Sequence, residues 1–307
     1  MNPLFCRLRP LVLGVEIMVC AAGDFLYTGT VHAVAVPPRY GTSIKTDAPL
    51  EKKYLQDGPF ATASMEKAVS ENWKKYKVWY PAELTRTEKT WPLLVLSNGT
   101  GVHASSARAM LEHFASWGFI VLGNEEDNSW QGVSAEKGLT WILSENTREG
   151  SIFYHRIDTD AIGAFGHSQG GVGTINAITV QPHHGMYKAA VSESPTQLSL
   201  AKNLKWSYAP GQVDVPIFYV SSNGFFDSNI VIPPKELERL FDLSVRSPFR
   251  VMAIRKKADH GEMLYKADGY VTAWFLYWLK GDENAGTVFR KDGELMKNPL
   301  YEHVKIE

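Results

Sequence analysis

Cysteine is almost absent from this sequence. The 307 residues include only two, Cys6 and Cys20, and both precede residue 36. If residues 1–35 are removed as a signal peptide, the mature chain contains no cysteine. Such a chain can form neither a disulfide nor a cysteine–metal site, and it has no thiol nucleophile. Any chemistry must then come from other side chains.

The beginning of the chain resembles a secretory signal peptide. Arg7 and Arg9 precede an apolar stretch at 11–22, and the small-x-small triplet at 33–35 is typical of a cleavage site. We predict cleavage after Ala35 and a secreted or periplasmic mature protein. Two acidic residues in this region disfavour the prediction, because charge is costly in an apolar segment. A longer anchor and a misassigned start codon are the alternatives.

The sequence also lacks an excess of charge and a second long apolar run. Lys and Arg total 32 and Asp and Glu total 33, which gives a formal net charge of −1. The charged residues are scattered along the chain with no basic stripe, which indicates that nucleic acid is not a partner. No run after residue 35 reaches the roughly 18 apolar residues of a membrane span. We predict one soluble domain over residues 36–307, which is long enough to bury a sizeable core.

Strand-like and helix-like segments alternate through most of the chain after a polar leader at 36–58. This alternation predicts an α/β fold, with a mostly parallel sheet and helices on both faces. Ligands of such sheets bind beyond the carboxyl ends of the strands. The predicted strands are 61–67, 75–81, 92–97, 119–123, 161–166, 188–194, 215–222 and 249–254, and the predicted helices are 104–118, 133–147, 171–181, 233–245 and 270–281.

A serine between glycines follows one of these strands. The stretch "AIGAFGHSQGGVG" at 161–173 contains Gly-x-Ser-x-Gly around Ser168. The three-residue motif occurs often by chance, but here a strand precedes it and a helix follows it. That context predicts a nucleophile on a sharp strand-to-helix turn, where Gly166 and Gly170 allow close packing. The alternative is a serine in an ordinary glycine-rich loop.

His260 is the predicted base for Ser168. It follows the strand at 249–254 and precedes the last predicted helix, as the chain order Ser…Asp/Glu…His requires. The alternative is an exposed loop histidine beside Asp259. His167 adjoins the serine, and we expect its side chain to point away from the site.

Asp227 is the predicted acid that would orient His260. It lies just past the strand at 215–222, 59 residues after Ser168 (227 − 168) and 33 before His260 (260 − 227). Glu193 is a rival acid, because it also lies at the carboxyl end of a strand. The choice between the two carboxylates stays open in the sequence.

Two backbone amides are predicted to form an oxyanion hole. One is the N–H of Gln169, directly after the serine, and the other is the N–H of Thr100 in the loop "NGTG" at 98–101. We also predict that Asn98 and Gly99 in this loop contact the substrate. An ordinary glycine turn is the alternative for the loop.

The sequence resembles the α/β-hydrolase superfamily, and most closely its secreted dienelactone-hydrolase-like branch, which includes cutinase-like polyester hydrolases. The resemblance extends from "GPFATAS" at 58–64 to "WLKGDENAGTVF" at 278–289, with "IGAFGHSQGG" and the "DHG" loop among its motifs. It implies a Ser-Asp-His triad, two backbone amides as the oxyanion hole, ester substrates and no cofactor. No histidine pair with metal-ligand spacing appears, and we predict no metal site.

The sequence departs from the polyester hydrolases at several positions. Thr100 stands where those enzymes carry an aromatic residue in the oxyanion loop, and Gln169 stands where they usually carry a Met after the serine. Thr196 lies near the position of the Trp that they carry a few residues after the strand that follows the nucleophile helix. The C-terminal disulfide is absent. We therefore predict a carboxylesterase for small or short-chain esters. A polyester or polysaccharide esterase is the alternative, followed by a non-catalytic binding protein.

Two further residues are predicted to contact the substrate. Trp130 ends the segment "EEDNSW" after a strand and would line the pocket, together with Thr196. The alternative for Trp130 is packing in the core. Oligomeric state and the exact substrate do not follow from the sequence.

Overall fold

A nine-stranded sheet organises residues 35–307, which are the part of the chain that this computed structural model describes. The strand order is β1-β2-β4-β3-β5-β6-β7-β8-β9. Strands β3 to β8 are parallel, whereas β1, β2 and β9 join antiparallel at the two edges. The strands are β1 Thr62–Ala68, β2 Lys75–Pro81, β3 Trp91–Ser97, β4 Ile120–Asn124, β5 Ile157–His167, β6 Tyr187–Glu193, β7 Ile217–Ser222, β8 Arg250–Arg255 and β9 Tyr301–Ile306.

Helices cover both faces of this sheet. One apolar core contains residues of α3, α8 and α9, and the other contains residues of α4, α5 and α7. The predicted α/β-hydrolase architecture is confirmed. The α-helices are α1 Tyr40–Ser43, α2 Pro49–Tyr54, α3 Arg108–Ser116, α4 Val133–Thr147, α5 Gln169–Thr179, α6 Leu198–Asn203, α7 Pro234–Leu243, α8 Met263–Lys266, α9 Asp268–Lys280, α10 Glu283–Gly286 and α11 Glu294–Lys297.

The central strand β5 shows why the sequence forms a doubly covered sheet. Ile162 and Ala164 face one core, and Ala161 and Phe165 face the other, as the two-residue period of a strand requires. Because both faces are buried, the strand reads as a continuous apolar run. Gly163 lets α9 approach closely, since a Cβ atom there would lie 2.8 Å from the Phe275 ring.

The segment before β1 is part of the fold, not merely the leader that the sequence predicted. Tyr40 donates a hydrogen bond to Asp268 at the start of α9, with 2.5 Å between the oxygens. Helix α2 begins where the Glu294 carboxylate accepts the Leu50 and Glu51 N–H groups at 2.7 Å each. The predicted signal peptide lies outside the described residues except for Ala35, and it stays a prediction.

Glu51 ties this segment to the carboxyl end of the chain. Its buried carboxylate accepts hydrogen bonds from Asn298 Nδ2 at 2.8 Å and from the Tyr301 hydroxyl at 3.0 Å, and lies 3.6 Å from Arg255 Nη1. Tyr301 begins β9, which the sequence analysis did not find. The last strand and the first helices therefore share one buried polar network.

The described residues contain no helix that is both long and apolar enough to cross a membrane. The longest is α4, with 15 residues.

The substitution Glu51→Ala should strongly destabilise the fold, because it leaves Arg255 buried without its partner charge. Breaking a buried ion pair in this way costs about 3–5 kcal/mol. Urea unfolding measures the loss, with Glu83→Ala at an exposed position as the control, for which we expect a change below about 0.5 kcal/mol. A loss for Glu51→Ala no larger than the control's would contradict the network's role.

Candidate active site

Ser168 lies on the turn between β5 and α5. Its backbone has φ +59° and ψ −120°, a left-handed φ that residues other than glycine seldom adopt. The Ser168 N–H donates to the Glu193 carbonyl at 2.8 Å, which anchors the turn to β6. The predicted strand, serine and helix are therefore found in the predicted order.

The flanking glycines are required by the closeness of the neighbouring backbone. A Cβ atom on Gly166 would lie 2.4 Å from the Gly170 carbonyl oxygen, and one on Gly170 would lie 2.0 Å from the Ser97 carbonyl oxygen. No side chain fits at such distances. The end of β3 is thereby packed directly against the serine turn.

His260 and Asp227 continue a hydrogen-bonded chain from Ser168. His260 Nε2 lies 2.9 Å from Ser168 Oγ, and His260 Nδ1 lies 2.6 Å from Asp227 Oδ1. All three side chains come from loops or turns at the carboxyl ends of β5, β7 and β8. His260 is buried, so the alternative of an exposed loop histidine does not describe it.

The carboxylate of Asp227 is held by more donors than His260 alone. Its Oδ2 accepts the Ser194 hydroxyl at 2.6 Å, the Ser222 hydroxyl at 2.6 Å and the Ser222 N–H at 2.9 Å. Burial by itself would raise the pKa of Asp227, but the His260 charge and these hydrogen bonds outweigh it and lower the pKa. The site therefore favours an ionised carboxylate beside the histidine.

Glu193, the rival acid, does not occupy this position. Its side chain is buried at the end of β6, where burial and the charge of Asp268 raise its pKa well above the ordinary value. The structure places the Asp227 carboxylate, and not that of Glu193, against His260. The topology explains this, because Ser194, directly after β6, is the residue that reaches Asp227.

The loop after β3 forms a tight turn beside Ser168. The Val102 N–H donates to the Gly99 carbonyl at 3.1 Å, and Gly101 has φ +65°, which the third position of a type II turn requires. Thr100 occupies the second position, where its N–H takes no part in the turn's own hydrogen bond. The Gln169 N–H is the first of α5 and has no acceptor within the helix.

Asn98 is used to shape this loop. Its Nδ2 donates to the Asn124 carbonyl at 2.9 Å and to the Glu126 carbonyl at 3.0 Å, and the Ser129 hydroxyl donates to its backbone carbonyl. The side chain is only 1% exposed. The Asn98 side chain is thus occupied by the neighbouring backbone, and a substrate contact by Asn98 stays a prediction.

Thr196 and Trp130, the two other residues predicted to contact the substrate, differ in their exposure to solvent. Thr196 is 3% exposed, and its carbonyl accepts the Tyr208 hydroxyl at 2.7 Å. Its side chain is thus largely enclosed by protein, and a substrate contact by Thr196 stays a prediction. Trp130 is half-buried, and its carbonyl accepts Asn176 Nδ2 at 2.8 Å. A substrate contact by the Trp130 ring stays a prediction.

The Gln169 side chain joins the serine turn to the loop after β4. Its Oε1 accepts the Ser129 N–H at 2.8 Å. The sequence analysis used the backbone of Gln169 for the oxyanion hole and its side chain only as a departure from the polyester hydrolases. It missed this role, since a long polar side chain does not reveal its partner in the sequence.

His167 was expected to point away from the site, and that expectation is wrong. Its Nε2 lies 2.7 Å from the His260 carbonyl, and the two rings lie 4.5 Å apart between centroids. The carbonyl can only accept, so His167 donates. Burial, followed by the charge of His260, lowers the pKa of His167 to about 3. The neutral His167 therefore stabilises the backbone of His260 through this hydrogen bond.

No cluster of three or more His, Cys, Asp or Glu side chains suited to a metal ion occurs within residues 35–307.

The lowered pKa of His167 predicts a pH dependence of stability. The unfolded chain protonates this histidine near pH 6.5 and the folded one near pH 3, so unfolding takes up a proton between these values. The free energy of unfolding should fall by about 1.4 kcal/mol per pH unit on acidification within that window from this group. His167→Gln should remove this contribution to the slope, as measured by urea unfolding at pH 4, 5, 6 and 7.

His184→Gln is the control for this experiment, because His184 is exposed. We expect its pH slope to equal that of the wild type. An unchanged slope in His167→Gln as well would contradict a buried neutral His167.

Comparison with known protein families assigns the chain to a family. A model of the PET hydrolase-like family matches residues 45–281, which is well over half of the chain. No curated protein matches the sequence. The matched range includes the serine turn, the Asp227 loop and the His260 loop. The chain therefore belongs to the PET hydrolase-like family of the α/β-hydrolase superfamily, whose members are serine hydrolases of carboxylic esters.

Proposed function

We propose that this enzyme hydrolyses carboxylic esters through an acyl-enzyme formed on Ser168. The observation that carries the proposal is the chain from Ser168 Oγ to His260 Nε2 at 2.9 Å and from His260 Nδ1 to Asp227 Oδ1 at 2.6 Å. A serine hydroxyl is a weak nucleophile, and a histidine at this distance supplies the base that activates it.

The first half-reaction acylates the enzyme. Ser168 Oγ attacks the ester carbonyl carbon while its proton passes to His260 Nε2. The bond from carbon to the alcohol oxygen then breaks, and His260 gives its proton to the leaving alcohol. Asp227 holds the Nδ1–H tautomer and stabilises the imidazolium. The free alcohol and an ester of Ser168 are the products.

The second half-reaction releases the acid. Water attacks the acyl carbon and His260 takes one of its protons. The bond to Ser168 Oγ breaks, and the proton on His260 returns to that oxygen. The carboxylic acid leaves and the enzyme is restored.

The N–H groups of Gln169 and Thr100 are proposed to bind the oxyanion. Support comes from their position: the first directly follows Ser168, and the second belongs to a turn whose Gly99 packs against the His167 carbonyl. Donors fixed before the reaction stabilise the developing charge without reorganisation. The packing between β3 and the serine turn would keep the two donors in register.

The proposed substrates are small or short-chain esters. Thr100 supplies no ring to the oxyanion loop, and Thr196 is enclosed by protein, so neither residue forms an aromatic wall for a polymer chain. The membership of the PET hydrolase-like family favours a second candidate, a polyester. Release of soluble products from a polyester film by the purified enzyme would favour the polymer over small esters.

Ser168→Ala should abolish ester hydrolysis, because no other group in the site can accept the acyl chain. We expect kcat to fall by at least about 1,000-fold for p-nitrophenyl esters, with an unchanged circular dichroism spectrum. Assays from acetate to palmitate should show the wild type fastest on the shortest acyl chains. The control is Ser144→Ala on the exposed side of α4, which should behave as the wild type. Substantial activity in Ser168→Ala would overturn the mechanism.

Asp227→Asn should lower kcat by about 1,000- to 10,000-fold, because the amide would favour the wrong tautomer of His260. The matched variant is Glu193→Gln, which makes the same carboxyl-to-amide replacement at the buried rival acid. We expect a change below about tenfold there, since Glu193 does not contact His260. A larger loss of kcat in Glu193→Gln than in Asp227→Asn would transfer the role of the acid to Glu193.

A further inference from the structure

Ser129, in the loop after β4, touches both parts of the proposed oxyanion hole. Its N–H donates to Gln169 Oε1 at 2.8 Å, and its hydroxyl donates to the Asn98 carbonyl. Asn98 begins the loop that carries Thr100. Gln169 directly follows Ser168 on the serine turn. A single residue therefore connects the two segments whose N–H groups are proposed to bind the oxyanion.

The position of Ser129 is itself fixed by α5. A Cβ atom on Gly173 of this helix would lie 2.4 Å from the Ser129 carbonyl oxygen, so the two backbones are in direct contact. The same carbonyl accepts the Gly132 N–H at 2.9 Å, which closes a turn. Ser129 is therefore held against the helix that begins at the serine turn.

The Ser129 hydroxyl influences the direction of the Thr100 N–H through two consecutive peptide planes. It holds the Asn98 carbonyl, and the Gly99 carbonyl accepts the Val102 N–H at 3.1 Å. In a trans peptide the N–H points opposite to the carbonyl of the same plane, so the Gly99 carbonyl sets the direction of the Thr100 N–H. Without the hydrogen bond from Ser129, the plane before Gly99 would be freer to rotate, because glycine allows a wide range of backbone angles.

The contact with Gln169 ties Ser129 to the other proposed donor. The Gln169 N–H belongs to the peptide that joins this residue to Ser168, and the Ser168 carbonyl accepts the Gly171 N–H at 2.9 Å. The direction of the Gln169 N–H is thus set by the first turn of α5. The Gln169 side chain then connects that turn to Ser129.

We propose that Ser129 is a positioning residue that keeps the N–H groups of Gln169 and Thr100 in one fixed arrangement beside Ser168. The proposal rests on the function proposed above, since this arrangement matters only if an oxyanion forms there. Donors that are fixed before the reaction stabilise the developing charge without reorganisation. Ser129 and Gln169 are each only 1% exposed, so bulk water does not replace a hydrogen bond that is lost between them.

Two substitutions break this connection at different points. Ser129→Ala removes the hydroxyl and keeps the N–H, whereas Gln169→Met removes the side-chain acceptor and keeps the backbone N–H. Each should lower kcat and kcat/KM for p-nitrophenyl acetate by about 10- to 100-fold, less than the roughly 100- to 1,000-fold that loss of a whole donor costs. KM should change by less than about twofold, because the interaction is made only in the transition state.

The double variant distinguishes one connection from two separate contacts. If Ser129 joins the two donors, a second break adds little, and the combined loss of kcat/KM should stay within about threefold of the larger single loss. Two separate contacts would multiply the single losses, and that result would overturn the proposal.

Phenylboronic acid tests whether the loss concerns the oxyanion. It adds to a serine hydroxyl as a tetrahedral boronate with an oxygen in the position of the oxyanion, and so resembles the transition state. Its Ki should rise in Ser129→Ala by about the factor by which kcat/KM falls. A preparation that merely contains less folded enzyme would lose kcat while the Ki of its active fraction stayed the same. An unchanged Ki would therefore contradict the proposal.

Ser244→Ala is the matched control for Ser129→Ala. Ser244 is also fully buried, and its hydroxyl likewise donates to a backbone carbonyl, that of Leu240, at 2.9 Å. It lies between α7 and β8, at the amino ends of the strands and away from Ser168. Its kcat, KM and Ki should equal those of the wild type, even where its midpoint of urea unfolding falls. A loss of kcat/KM as large as that of Ser129→Ala would overturn the proposal.

The same measurements separate this proposal from the proposed function. Failure of the wild-type enzyme to hydrolyse p-nitrophenyl acetate would count against the function itself. Full activity of Ser129→Ala, beside an active wild type and an inactive Ser168→Ala, would remove only the role of Ser129.

Discussion

The site depends on the close approach of two backbone segments, the end of β3 and the turn that holds Ser168. Gly170 carries no Cβ atom, which leaves room for the Ser97 and Asn98 carbonyls. That contact places the loop 98–101 beside Ser168, and the Asn98 amide then binds the loop after β4. A side chain at Gly170 would push the loop 98–101, with the proposed oxyanion donor Thr100, away from the serine turn.

Electrostatics within the site follow from burial. The Asp227 carboxylate is buried, and it tolerates burial because two serines and His260 donate to it. His167 is buried as well, but burial keeps it neutral, and it donates one N–H hydrogen bond to the His260 carbonyl. A single ionised group therefore faces the histidine, which is the arrangement that stabilises an imidazolium in the transition state.

Much of the fold could be predicted from the sequence, because strands buried on both faces read as apolar runs. The helix at 133–147 has the predicted bounds, and β3 to β8 lie where the patterns put them. The residues now found around Ser168 could be predicted from chain order and from the rule that ligands meet strand ends. These signals are local, or they depend only on sequence order.

The rest depends on tertiary contacts that no local pattern contains. Glu51 and Tyr301 are distant in sequence and meet only in the folded chain, so the first helices and β9 were missed. Asn98 and Thr196 are polar residues in loops, for which exposure is the usual outcome, yet both are buried in the folded chain. The direction of the His167 side chain was misjudged for the same reason, because the His260 carbonyl that it binds comes from a loop 93 residues away.

The most direct test of this account is to treat the active enzyme with a fluorophosphonate and to locate the adduct by peptide mass spectrometry. A phosphonyl group binds covalently to a serine that an adjacent base activates. We predict one adduct per chain, on the peptide that contains Ser168, with loss of esterase activity in proportion to labelling. Esterase activity that survives complete modification of Ser168, or an inactivating adduct on another residue, would contradict it.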